Sequence, residues 1–215
     1  MTLSKNTVTF TIDGVDIRAS AGENLLWCAL DNGLYIPNLC AIRDNPRPLS
    51  ACRLCFVEIE GLPSPVTACT TTVRDGMKVR LNTVHVKRIR NAAFELLLSH
   101  HQLDCRHCAK NGHCGLQDIA ARLRIKLKLK NARKLQLDLP VDRSHDLFYF
   151  DPNKCVLCGR CVWECQRTGL GVLDFSFKGI DTRVSTFAGI PLAETACTGC
   201  LACVEVCPVA ALVKK

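Results

Sequence analysis

Two stretches near the C-terminus decide how this chain is read: DPNKCVLCGRCVWEC at residues 151–165 and CTGCLACVEVCPVAAL at residues 197–212. Both carry one spacing, C-x2-C-x2-C-x3-C, through Cys155, Cys158, Cys161, Cys165 and again through Cys197, Cys200, Cys203, Cys207. Two residues between thiolates let three sulfurs of a tight loop reach three corners of a [4Fe-4S] cubane, while the fourth cysteine of each run serves the other cluster of the pair. The expected ligand sets are therefore crossed: Cys155, Cys158, Cys161 with Cys207, and Cys165 with Cys197, Cys200, Cys203. Pro208 follows the last cysteine as this pattern prefers, and Gln166 in the matching place of the first run replaces a residue that is not a ligand. Structural zinc sites space their ligands as two separated pairs, unlike four cysteines within eleven residues.

The chain has 215 residues and sixteen cysteines. Its opening, MTLSKNTVTFTIDG, has no apolar leader, so reduced thiolates in the cytoplasm are expected rather than eight disulfides. The longest apolar candidate for a membrane span is FELLL at residues 94–98, far too short, so direct membrane insertion is not expected. The formal charge of +8 invites a nucleic-acid reading, but it counts every cysteine as neutral. Three all-thiolate clusters and one with a histidine ligand would bring the loaded protein to about +1, which removes most of that case. What remains is local: Arg122, Arg124, Lys126, Lys128, Lys130, Arg133 and Lys134 fall within thirteen residues that contain no acid. Such a run reads first as a solvated face, then as a contact for an acidic partner subunit, and last as a nucleic-acid contact.

Residues 8–19, VTFTIDGVDIRA, alternate apolar and polar on both sides of Asp13-Gly14, the signature of a β-hairpin. GENLLWCALDNG at residues 22–33 predicts a helix with an acid in its first turn and a glycine stop, and Cys28 inside it reads as a buried hydrophobe. Cys40, Cys52, Cys55 and Cys69 form the next group. A turn-rich loop of eleven residues separates the first two, and the group has the form of a [2Fe-2S] site, with zinc as the alternative for these four taken alone. The plant-type spacing C-x4-C-x2-C has a shorter first gap. After the strand-like FVEIE, the stretch RDGMKVRL predicts a second hairpin around Asp75-Gly76 that closes a small mixed sheet.

From residue 84 to 99, Val86, Ile89, Ala93, Leu96 and Leu97 mark the apolar face of a helix, with Lys87, Arg88 and Arg90 opposite. The third group follows as H-x3-C-x2-C-x5-C: His101, Cys105, Cys108 and Cys114, the last opening a helix over GLQDIAARLRI. A Cys3His set suits structural zinc as well as iron. Set between three cluster sites, a redox-inert zinc would interrupt an electron path, so a [4Fe-4S] cluster with one imidazole is expected. His100, His107 and His113 read as neighbours of the site or surface groups. A linker is expected over residues 135–144, interrupted by Pro140, and LDFSF and TRVSTF between the two cysteine runs predict short paired strands. Gly169-Leu170-Gly171 lacks the third glycine of a dinucleotide fingerprint.

Taken together, the four groups resemble, in order and spacing, the N-terminal cluster-bearing region shared by the large iron-sulphur subunit of complex I, the accessory domains of [FeFe] hydrogenases and the small diaphorase subunit of NAD-linked hydrogenases. The resemblance spans residues 7–212 and rests on fifteen cysteines and one histidine; it is especially close to the hydrogenase accessory domains in the two stretches quoted first. It implies an α+β chain with a β-grasp [2Fe-2S] domain over residues 1–82, a His/Cys3 [4Fe-4S] domain over 83–134 and a two-cluster bacterial ferredoxin-like domain over 145–215. One [2Fe-2S] and three [4Fe-4S] clusters are the implied cofactors. In the resembling families a catalytic-cluster or molybdopterin-type domain follows this region, whereas eight residues follow Cys207 here, so no active site of its own is expected. The expected role is electron transfer between a flavoprotein NAD(P)-linked subunit and a catalytic subunit of hydrogenase or formate dehydrogenase type. A freestanding polyferredoxin carrier and a zinc-dependent nucleic-acid or scaffold protein are the alternatives.

Overall fold

The computed structural model of the chain describes residues 7–135 and 137–215. Residues 1–6, on which the expected absence of an apolar leader falls, and Gln136 within the expected linker lie outside the described residues. Two compact units emerge, Met1–Phe94 and Glu95–Lys215.

The first unit is a mixed five-stranded sheet covered by a helix. Strands β1 (Thr7–Ile12) and β2 (Val15–Ser20) pair antiparallel from Thr7↔Ser20 to Ile12↔Val15. Asp13 and Gly14 turn between them with φ of 48° and 82°, the left-handed pair that a two-residue hairpin needs. The period-2 pattern sends Val8, Phe10 and Ile12 into the core. Helix α1 (Leu25–Asp31) is shorter than the sequence predicts, because Asn24 caps it: its side-chain oxygen accepts from the Leu26 and Trp27 amides. The helix buries Leu25, Leu26, Cys28 and Ala29 in one core with Phe10, Ile12 and Ile17.

Strands β3 (Phe56–Ile59), β4 (Val66–Thr67) and β5 (Lys78–Arg80) complete the sheet in the order β2-β1-β5-β3-β4. The second expected hairpin does not form. Asp75-Gly76 is a turn, but β5 pairs parallel with β1 and antiparallel with β3, not with the residues before the turn. The turn is tied to β1 instead: the Thr9 amide donates to Asp75 Oδ1 and the Gly76 amide to the Thr9 carbonyl. A turn dipeptide marks a reversal, and the strand's partners are set by which neighbours bury Val79.

Helix α2 (Val84–His100) runs from the first unit into the second. Its inward face differs from the predicted one: Arg90 is 2% exposed and Phe94 1%, whereas Leu96 is 59% exposed. The buried positions Val86, Arg90, Ala93 and Phe94 keep helical spacing, so the periodicity held while one charged residue took an apolar place.

In the second unit the elements are short. Helix α3 (Gly115–Leu123) ends at Arg124, which adopts a left-handed φ of 53°. Strand β6 (Phe148–Phe150) pairs with β9 (Leu212–Lys214), and β7 (Asp174–Ser176) with β8 (Arg183–Ser185), both antiparallel as expected for the second pair. Helices α4 (Arg160–Arg167) and α5 (Ala202–Glu205) start inside the cysteine runs, just before Cys161 and Cys203. Among the described residues no helix is long and apolar enough to cross a membrane.

Candidate metal centres

In the first unit Cys40, Cys52, Cys55 and Cys69 are 1–3% exposed. The loop from Cys40 brings its sulfur to 3.4 Å from Cys52 Sγ, and the Cys52 amide points at Cys40 Sγ at 3.5 Å. Ser50 and Arg53 bracket Cys52 with φ of 49° and 54°, which curls the loop over its own sulfurs. Cys55 closes the loop at the edge of β3, and Cys69 comes from a single helical turn, Ala68–Thr70. Hydrogen bonding between partners pushes Cys40 and Cys55 up and draws Cys52 and Cys69 down, with burial opposing ionisation at all four. Cys28 stands apart from this group, inside α1, and burial pushes its thiol up to about 12.

The two runs of the second unit fold alike. Leu157 and Gly159 in the first run have φ of 53° and 77°, and Gly199 and Leu201 in the second have 69° and 62°. The same two positions of each run are left-handed, with glycine and leucine exchanged. A leucine there costs roughly 1–2 kcal/mol, so the loop shape is imposed by its surroundings. In the first run the Leu157 amide donates to Cys155 Sγ at 3.4 Å, and beyond α4 the Val172 amide donates to Cys165 Sγ at 3.2 Å. Gly199 has a second reason to be glycine, since a Cβ there would sit 2.8 Å from Leu147 Cδ1.

Helix α4 carries Cys161 and Cys165 one turn apart, and they face different cavities. Cys155, Cys158, Cys161 and Cys207 line one, walled by Val156, Val184, Val209 and Leu212. Cys165, Cys197, Cys200 and Cys203 line the other, walled by Phe148, Leu173 and Leu192. Burial pushes Cys155 and Cys203 up to about 12, with the neighbouring thiols adding to it, and raises Cys161 well above the ordinary thiol range. Four thiols gathered in an apolar cavity resist ionisation, and a cationic metal core removes both the desolvation and the repulsion. The donor sets therefore fit iron–sulphur clusters. No three Cys, His, Asp or Glu side chains among the described residues converge closely enough to hold a single ion.

The His101 group belongs to the second unit. His101 is 5% exposed, and its Nδ1 donates to the Lys154 carbonyl at 2.7 Å. A carbonyl only accepts, so Nδ1 carries the hydrogen and the lone pair lies on Nε2, the arrangement a metal-ligating imidazole uses. The Gln102 amide donates to the Asn153 carbonyl at 2.7 Å, Gly115 N to Pro208 O at 2.8 Å and Lys110 Nζ to Cys207 O at 3.0 Å. These bonds fasten the His101 group to the residues flanking Cys155 and Cys207. Sequence patterns do not reveal them, because backbone carbonyls far apart in the chain leave no signature. His107 pairs with Asp104 at 3.0 Å on the surface.

Comparison with known proteins agrees in all three regions. Residues 5–84 match a 2Fe-2S iron-sulfur cluster binding domain, residues 90–127 the NADH-ubiquinone oxidoreductase-G iron-sulfur binding region, and residues 149–214 a 4Fe-4S dicluster domain. The chain is 37% identical over 214 residues to the NADPH-Fe(3+) oxidoreductase subunit alpha of Geobacter sulfurreducens, covering 97% of this chain and 24% of that protein. It is 35% identical over 216 residues to the NADP-reducing hydrogenase subunit HndD of Solidesulfovibrio fructosivorans, covering 96% of this chain and 36% of that one. It thus spans about a quarter to a third of these curated relatives. A chain in the crystal structure of an NAD+-reducing [NiFe]-hydrogenase in its H2-reduced state superposes with a TM-score of 0.87 at 30% identity, over 97% of this chain and 87% of that one. On this similarity the chain belongs to the family of iron–sulphur electron-transfer subunits and domains shared by the NADH-quinone oxidoreductases and the NAD(P)-linked hydrogenases.

Proposed function

We propose that this chain relays single electrons between a flavoprotein NAD(P)-linked subunit and a catalytic subunit of hydrogenase or formate dehydrogenase type, without catalysing a reaction of its own. The observation that carries the reading is the pair of cavities in the second unit, each lined by four cysteines in the crossed combination that a two-cluster module requires. In this reading Cys155, Cys158, Cys161 and Cys207 hold one [4Fe-4S] cluster and Cys165, Cys197, Cys200 and Cys203 the second. His101 Nε2, Cys105, Cys108 and Cys114 hold the third, and Cys40, Cys52, Cys55 and Cys69 hold a [2Fe-2S] cluster. A hairpin, a covering helix and a parallel β1–β5 pair in one mixed sheet support the β-grasp form for residues 1–82. The family matches support a His/Cys3 module over 83–134 and a two-cluster module over 145–215.

The clusters supply one-electron oxidation and reduction; the chain supplies everything that positions and tunes them. Amides of Cys52, Leu157 and Val172 directed at sulfur stabilise thiolate charge, and apolar walls exclude water from Cys161 and Cys203. The Lys154 carbonyl fixes the His101 tautomer, and Lys154 precedes Cys155, so this bond links two ligand sets through one hydrogen bond and one peptide. One neutral imidazole in place of a thiolate leaves the His101 site less negative, which favours its reduced form.

The test is anaerobic. The loaded chain mixed with NADH or NADPH alone should stay oxidised, and adding the flavoprotein subunit should bring up the reduced-cluster EPR signals. Direct reduction by either nucleotide without a flavoprotein would contradict the relay.

A further inference from the structure

Arg90 is the least expected resident of the first unit's interior. It lies on α2 between Val86 and Phe94, 2% exposed, on the face that turns inward. One of its donors is satisfied: Nη2 donates to the Phe56 carbonyl at 2.6 Å. Among the described residues its buried Nε has no partner. Among the described residues no carboxylate makes an ion pair with it. A buried guanidinium with neither full hydrogen bonding nor a counter-ion is costly and is rarely retained unpaired. Phe56 directly follows Cys55, so the hydrogen bond holds the guanidinium beside the cysteine at the edge of β3.

We propose that Arg90 is a positioning residue for the [2Fe-2S] site, a fixed buried cation that raises the site's reduction potential. This rests on the reading that Cys40, Cys52, Cys55 and Cys69 hold that cluster. Four thiolates around the cluster give a net charge of about −2, which becomes about −3 when one electron arrives from the donor, with no bond made or broken. A nearby positive charge stabilises the more negative form more strongly, and the low dielectric around Arg90 magnifies the difference. Burial lowers the guanidinium pKa to about 10, with Cys55 first among the groups opposing that fall, followed by Asp13 and Tyr35. The side chain therefore stays charged at neutral pH. Among the described residues no other basic side chain of this unit is as deeply buried.

The inference is tested by EPR-monitored redox titration of the loaded full-length chain at pH 6, comparing wild type with Arg90→Gln and Arg90→Lys. Gln keeps a donor for the Phe56 carbonyl and loses the charge, so the oxidised-to-reduced ratio at a given potential should rise about tenfold, a fall of 59 mV for one electron. The [4Fe-4S] signals should not move. Lys keeps the charge and should hold the oxidised-to-reduced ratio at that potential to within about threefold of wild type. An Arg90→Gln protein that carries its [2Fe-2S] signal at the wild-type potential overturns the inference while leaving the relay intact. Should Arg90→Gln fail to fold or to load, the Lys variant decides, and a tenfold rise of that ratio there despite the retained charge overturns it. A wild-type chain with no [2Fe-2S] signal removes both the inference and the reading beneath it.

Discussion

In the Met1–Phe94 unit the four cysteines hang from a packed frame: a five-stranded sheet, a capped helix and a core of Phe10, Ile12, Leu25, Leu26 and Val79. In the Glu95–Lys215 unit the strands are three residues long, α5 is four, and the sheets have two strands each. Cys200 is exposed there, and Cys105, Cys108 and Cys114 are only half-buried. Elements this short do not hold a shape by backbone pairing alone. The first unit thus presents its cysteines from a fold, whereas the second has little backbone pairing of its own, and metal bound by its cysteines would supply much of what holds it together.

Removing the metal should give the largest separation between the two. Anaerobic chelation of iron is expected to abolish amide-exchange protection around α4, α5 and the β6–β9 pair, while β1, β2 and α1 keep theirs. Equal loss in both units would break the comparison. Next in size, Phe10→Ala should cost the first unit about 3–5 kcal/mol, since Phe10 is 1% exposed and its truncation leaves a cavity. Denaturation followed by amide exchange should place that loss in the sheet and leave the [4Fe-4S] signals unchanged. The smallest and most local effect is expected from Cys207→Ala. It should damage the cluster of the first run, with Cys155, Cys158 and Cys161, and spare that of its own run. Loss of only the second run's signal would contradict the crossed sets.

The parts of this molecule that local spacing encodes were legible in the sequence. Asp13-Gly14 sets a hairpin because both residues must be left-handed, and the two cysteine runs, alike in spacing, fold alike with the same two positions left-handed. Asp75-Gly76 misled because the chain after it reaches partners far away in sequence, and no local signal says which strand will bury Val79. Arg90 misled because charge ordinarily marks the wet face of a helix, although its spacing from Val86 and Phe94 already placed it inside. The Lys154 carbonyl under His101 and the Lys110 contact to Cys207 O join residues 53 and 97 positions apart, where patterning carries no information.

The central claim is that all four ligand groups hold iron. The most direct measurement is an iron and zinc count per chain on protein purified without oxygen. Two irons at the Cys40 group and four at each of the other three predict about 14 irons and no zinc. About 10 irons with one zinc would contradict the claim: the His101 site would then be structural and take no part in the relay.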